Sequence, residues 1–225
     1  MISMLTPAKK EFIEFMMSAD VLRFGDFVTK SGRNTPYFVN TGNYKTGLQS
    51  SRLGEFYAAM VKETIGDHFD AMFGPAYKGI PLATSVAGAL ARNYGIDKPF
   101  FFNRKEAKDH GEGGMFVGKQ LADGDKVVII EDVMTSGKAL REVLPKLKGA
   151  ADVNITAMVI TVDRMEKALD SDLSAVQSAD KDFGVKVYSI VNINDIISAI
   201  ENGVIEGKQY LDAMKQYRST YGVEY

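Results

Sequence analysis

The chain has 225 residues, 45% hydrophobic and 25% charged, with a formal net charge of −2 and a pI near 5.8. Such values belong to a globular protein with one sizeable core; they argue against disorder and against a global positive field for nucleic acid or a membrane surface. Cysteine is absent, which removes disulfides, thiolate metal sites and thiol nucleophiles from consideration.

The first fifteen residues break their apolar runs with Lys and Glu, and no stretch approaches the ~18 apolar residues of a membrane span. A soluble, cytoplasmic protein is expected. Pro7 opens a helix over residues 7–22, with Phe12, Met16 and Ala19 at helical spacing. Residues 24–42, FGDFVTKSGRNTPYFVNTG, alternate β-forming residues with Ser-Gly and Thr-Pro breaks and read as two short strands around a turn. Over 51–65, Leu53, Phe56, Tyr57, Met60, Val61 and Ile65 share one helical face. Strands at 70–74, 99–103, 126–131, 154–162 and 185–191 then alternate with helices at 80–93, 138–148 and 171–182, and helices follow to the end. Pro145 lies inside one of them and should kink it or mark its last turn.

Continuous apolar strands separated by helices require a mainly parallel sheet covered on both faces. The expected fold is therefore α/β, an open, mainly parallel sheet with helices on both faces, in a single domain. Such sheets bind ligands beyond the carboxyl ends of their strands, where the strand order reverses. The loops after residues 74, 103, 131 and 162 are the candidates.

Residues 127–139, VVIIEDVMTSGKA, carry the most specific string. Glu131 and Asp132 end a strand, and the turn through Thr135, Ser136 and Gly137 opens a helix whose free N–H groups suit a phosphate. A Walker loop would need glycine five residues before Gly137, where Asp132 stands. Taken alone, an acidic strand end with a Thr or Ser cap is as good a reading. Carboxylates beside a phosphate site make sense together if the ligand carries hydroxyls between phosphates, as a sugar phosphate does.

This string resembles the phosphoribosyl diphosphate (PRPP) motif of type I phosphoribosyltransferases. The resemblance implies that Glu131 and Asp132 meet the ribose hydroxyls, while Val133, Met134, Thr135, Ser136, Gly137, Lys138 and Ala139 hold the 5′-phosphate end.

Residues 104–114, RKEAKDHGEGG, place Arg104, Lys105, Lys108 and His110 among three glycines with no apolar anchor. A loop of that composition is costly to order without an anionic ligand, although a solvated hairpin tip is the commoner meaning of a charge run. The segment resembles the catalytic loop of orotate phosphoribosyltransferases. By that resemblance its four cations contact the diphosphate, with Lys108 most tied to catalysis alongside Asp132, and the loop is shared across the subunits of a homodimer. The turn GPAYKG at 74–79 is weak by itself; in the family the matching loop binds diphosphate, here through Tyr77 and Lys78.

The stretch 24–42 resembles the N-terminal part of the same enzymes. Lys30 matches their lysine, and Phe38 and Val39 occupy the place of an aromatic pair near orotate. Arg164, in VDRME, matches the arginine that pairs with the orotate carboxylate, a planar anion suited to a guanidinium fork. Thr135 adjoins both substrates in this comparison, and Lys30 touches PRPP as well.

The resemblance spans roughly residues 20–217. It implies the type I phosphoribosyltransferase fold, with a core at about 50–190 and a small hood from about 1–45 and the C-terminal residues. It further implies Mg²⁺ as cofactor, with no metal ligand assigned, and transfer of phosphoribose from PRPP to orotate in pyrimidine (UMP) biosynthesis. Another phosphoribosyltransferase, acting on a neutral base, is the nearest alternative; it gives Lys30 and Arg164 little to hold. A PRPP-sensing regulator is the third, and no basic DNA-binding module supports it. His68 has no motif around it.

Overall fold

The computed structural model describes residues 5–29, 32–108, 114–134 and 137–225, without the side chains of Ala107 and Lys108. Helix α1 (Pro7–Ser18) is capped by Thr6 and buries Phe12, Ile13 and Met16. It stops four residues short of the expected end, because Asp20 takes a left-handed φ of 57° and the chain turns directly into β1 (Leu22–Val28). Strand β1 pairs antiparallel with β2 (Asn34–Val39), which makes a separate two-stranded sheet.

Helix α2 (Gly47–Thr64) begins in a capping box between Thr46 and Gln49 and buries Leu53, Phe56, Tyr57 and Val61 along one face. It packs on α3 (Gly79–Tyr94). The helices touch at Gly54, where a Cβ would lie 2.7 Å from the Ser85 carbonyl oxygen, and Ser50 and Ser85 join their hydroxyls at 2.8 Å beside it.

The main sheet comprises β3 (Ala71–Gly74), β4 (Phe100–Lys108), β5 (Gly114–Gly118), β6 (Lys126–Ile130), β7 (Asn154–Asp163) and β8 (Val187–Asn192), in the order β5-β4-β3-β6-β7-β8. Five strands are parallel, and only the edge strand β5 runs against its neighbour. All of β3, and β6 after Lys126, are buried, as the double covering of a parallel sheet demands. One core holds Phe12, Tyr57, Met72 and Val128 beneath α1 to α3; the other holds Phe73, Phe101, Ile129 and Leu144 beneath α4 (Lys138–Ala150) and α5 (Ala175–Phe183). Pro145 is accommodated inside α4, which runs on to Ala150. The chain finishes with α6 (Ile193–Glu201) and α7 (Leu211–Tyr221), and α7 contacts β2.

Two further expectations need correction. Residues 104–114 do not begin as an unanchored loop: β4 continues through Lys108, and β5 returns beside it from Gly114, with Phe116 packed against Phe73 and Phe101. Helix α5 starts at Ala175 and not at 171, because Ser174 and Gln177 form its capping box.

Candidate functional site

The strand order reverses between β3 and β6: from β3 the chain moves outward to β4, then returns to lay β6 on the other side of β3. The loops that leave these two strands therefore meet at one crevice. After β3, GPAYKG turns so tightly that a Cβ on Gly74 would lie 2.3 Å from the Gly79 carbonyl oxygen. The Ala76–Tyr77 peptide is cis, and the Ala76 N–H donates to Asn103 Oδ1 at 3.0 Å. Tyr77 is exposed, with the Lys105 ammonium 4.5 Å from its ring centroid.

Lys78 crosses the crevice to Asp132. Its Nζ donates to Asp132 Oδ2 at 2.8 Å and to Thr41 Oγ1 at 3.1 Å, and Thr41 in turn donates to Asp132 Oδ2 at 2.7 Å. The other oxygen, Oδ1, accepts from the Val133 N–H at 2.7 Å. Behind the carboxylates, Tyr57 donates to the Glu131 carbonyl at 2.6 Å, and the Thr161 hydroxyl and N–H both donate to the Asp132 carbonyl. A cavity of about 170 Å³ opens beside this group, walled by Thr41, Tyr44, Lys78, Leu82, Asp132 and Thr161. A smaller one of about 70 Å³ lies at the start of α4 and is lined by Val133, Met134, Gly137, Lys138 and Ala139. Gly137 sits there with φ 67°, a conformation that favours glycine.

The two adjacent carboxyls differ sharply. Burial pushes Glu131 up to about 7, with the Asp132 charge adding to the rise. Burial also opposes the Asp132 charge, but hydrogen bonds from Lys78, Thr41 and the Val133 N–H outweigh it and hold that carboxyl below its usual range. A carboxyl raised on folding binds its proton more tightly in the native chain, so its contribution is present at low pH and lost as pH climbs from the unfolded value near 4.5 to about 7. Glu131→Gln, whose oxygen can still accept from the Asp132 N–H, should therefore flatten the fall in stability of the metal-free protein between pH 5 and 8. The expected change is on the order of 3 kcal/mol, or about 5–10 °C in melting temperature. Parallel melting curves for the two proteins across that range would refute the assignment.

Of the residues expected around a base, Phe38 and Val39 fall on β2 and Arg164 on the loop after β7. Phe38 is 38% exposed and stacks on Phe27, and Val39 is partly buried against the core. Arg164 is not an open fork. Its Nε donates to the Tyr37 hydroxyl at 3.2 Å, and Nη2 lies 2.7 Å from Glu166 Oε1 as an ion pair, off the line of a hydrogen bond. Tyr37 completes the triangle by donating to Glu166 Oε1 at 2.9 Å. Burial disfavours the guanidinium charge, but Tyr37 and Glu166 more than offset it, and Arg164 is held above its ordinary value.

Thus Lys78 and Asp132 meet beside the larger cavity, Glu131 adjoins Asp132 and lines the smaller one, and Tyr77 and Lys105 touch each other from the turn after β3 and from β4; Arg104, also on β4, donates through Nη1 to the Gly114 carbonyl at 3.0 Å. Lys30, His110, Thr135, Ser136 and the Lys108 side chain lie outside the described residues. Sequence reasoning missed Thr41, Tyr57, Asn103 and Thr161: Thr41 lies within the 24–42 stretch but nothing local singles it out, and each of the four reaches its partner across at least 27 residues of chain.

A strand-order switch carrying an acidic pair, a lysine turn and a glycine-started helix is the arrangement of a phosphoribosyltransferase domain, and the family model for the phosphoribosyl transferase domain matches residues 40–191. The orotate phosphoribosyltransferase of Clostridium botulinum strain Eklund 17B is 50% identical over 218 residues, covering 96% of this chain and 97% of that enzyme. That of Clostridium acetobutylicum is 48% identical over 221 residues, covering 96% and 98%. The crystal structure of orotate phosphoribosyltransferase from Francisella tularensis superposes with a TM-score of 0.85 at 40% identity, covering 95% of this chain and all of that one. The chain belongs to the orotate phosphoribosyltransferase family.

Proposed function

We propose that this chain transfers the 5-phosphoribosyl group of PRPP to N1 of orotate, releasing orotidine 5′-monophosphate and diphosphate, as a step of pyrimidine (UMP) biosynthesis. The observation that carries this reading is the meeting of Lys78, Thr41 and Asp132 at the crevice between β3 and β6. Cleavage at the anomeric carbon leaves positive charge on the ribose and negative charge on the diphosphate. Asp132, held ionised, and Glu131 face the ribose hydroxyls and favour the developing cation. Lys78 exchanges its bond to Asp132 for a diphosphate oxygen, and Arg104, Lys105, Lys108 and His110 add to that neutralisation. Closure of residues 104–114 keeps water from the cation.

Among the described residues no group of three or more His, Asp or Glu could cage a metal. Mg²⁺ still fits, because it is usually bound by one or two carboxylates together with substrate phosphates; Glu131 and Asp132 would hold it here, and it would neutralise diphosphate charge. Residues 133–139 take the 5′-phosphate, and Lys30, Phe38, Val39, Thr135 and Arg164 take orotate. The family resemblance supports a homodimer that shares residues 104–114. The small sheet β1–β2 with the C-terminal helices serves as the hood of this single domain.

Loss of orotate absorbance that depends on PRPP and Mg²⁺ tests the function directly. Turnover of hypoxanthine or uracil in place of orotate would move the reading to another base, and PRPP binding without turnover would make the chain a sensor. Thr41 keeps Asp132 oriented once Lys78 has left for the diphosphate. Thr41→Val should accordingly raise the KM for PRPP about tenfold, whereas Thr41→Ser stays close to wild type; equal losses in both variants would reduce Thr41 to packing.

A further inference from the structure

Residues 221–225 take no part in the site as described, yet their polar groups converge on one short stretch, residues 163–167. The Val223 N–H donates to the Met165 carbonyl at 2.9 Å, and the Lys167 N–H donates to the Tyr221 carbonyl at 2.8 Å. Gly222 bridges Glu166 between them. Only glycine fits there, since a Cβ would lie 2.3 Å from the Arg218 carbonyl oxygen. Arg218 and Gln177 secure the same segment from outside through the carbonyls of Val223 and Glu224.

The chain turns sharply inside the clamped stretch. Met165 has φ 51°, a left-handed conformation that a side chain rarely adopts, and Asp163 Oδ1 holds it by accepting the Met165 N–H at 2.8 Å. The other oxygen of Asp163 accepts from the Tyr225 hydroxyl at 2.5 Å, and that hydroxyl also lies 2.9 Å from Ser174 Oγ. A line of contacts thus runs from Tyr225 through Asp163 to the turn that carries Arg164. Tyr225 is 62% exposed, so its hydroxyl matters here far more than its packing.

We propose that Tyr225 is a positioning residue: by holding Asp163 it fixes the Met165 turn, presents Arg164 to the acceptor base, and sets the affinity for an anionic carboxylate. The proposal rests on Arg164 meeting that carboxylate, as argued above. A guanidinium already shared with Tyr37 and Glu166 has little slack; a small shift of its turn loses the pairing with the ligand before it loses the internal one.

The test is steady-state kinetics of Tyr225→Phe and Tyr225→Ala, with orotate varied at saturating PRPP and PRPP varied at saturating orotate. The KM for orotate should rise about fivefold in the Phe variant, the worth of one ordinary hydrogen bond, and by at least that in the Ala variant. The kcat and the KM for PRPP should stay within about twofold of wild type in both, a split that general loosening of the fold would not give. Calorimetric titration of orotidine 5′-monophosphate should show the same weakening without turnover. Unchanged orotate KM in both variants, or equal rises in the two KM values, would overturn the proposal while leaving the function intact. A wild-type chain that does not use orotate would overturn the function and with it the premise about Arg164.

Discussion

Asp132→Asn is expected to lower kcat/KM for PRPP by about 10²–10³-fold, the range seen when one preorganised electrostatic contact to a transition state is removed. The carboxylate accepts on both sides: Oδ1 takes the Val133 N–H, and Oδ2 takes the Thr41 hydroxyl and the Lys78 ammonium. An amide has a single oxygen, so either orientation turns its NH₂ toward a group that also donates. One orientation sets that NH₂ against Lys78 and Thr41, the other against the Val133 N–H, and in either the ribose of the proposed complex loses the anion that favours its developing charge. Rates near wild type, with the fold confirmed by an unchanged far-ultraviolet spectrum, would remove Asp132 from the chemistry. The same variant reports on the proposed dimer. Mixed with Lys108→Ala chains, it should regain activity if residues 104–114 serve the neighbouring site, and should stay inactive if every site is built from one chain.

Arg164→Ala should raise the KM for orotate about 100-fold with little change in the KM for PRPP, as expected when one member of a buried, hydrogen-bonded charge pair is truncated. The cause is geometric as well as electrostatic, since Tyr37 and Glu166 fix the guanidinium that the proposed site sets against a planar carboxylate. Arg164→Lys should recover little, because an ammonium cannot reproduce the fork. The Ala variant should also lose about 2 kcal/mol of stability. Glu166 would lose its near cation and be left with the hydroxyls of Tyr37 and Tyr217 and a distant Arg33, 3.9 Å away. An unchanged orotate KM would place the base elsewhere.

Some of this was legible from local pattern. The apolar run ending in Glu131 and Asp132 reads as a buried strand, and Gly137 before Lys138 reads as a helix start, because both depend on a few neighbouring residues. Apart from β5, the element order from β3 to α7 follows in the same way. Strand β5 was not legible: GMFVG is short, glycine-bounded and at a sheet edge, and its place depends on pairing with β4. The ends of α1 and α5 were misplaced for local reasons that periodicity does not carry, the left-handed Asp20 and the Ser174 capping box.

By itself the sequence determined the chemistry on offer: an acidic pair at a strand end, cations beside glycines, a lysine turn and an arginine after a strand, in an order that names the family. Only the tertiary structure decided how those groups are shared. Thr41 comes to Asp132 from 91 residues away and Lys78 from 54, so which oxygen each occupies depends on the strand order that sets β3 beside β6. Arg164 looked free to meet a ligand, and folding placed it against Tyr37, 127 residues distant. A short motif records which groups a site can use; their protonation and pairing depend on burial and on partners that only the folded chain brings within a few ångströms.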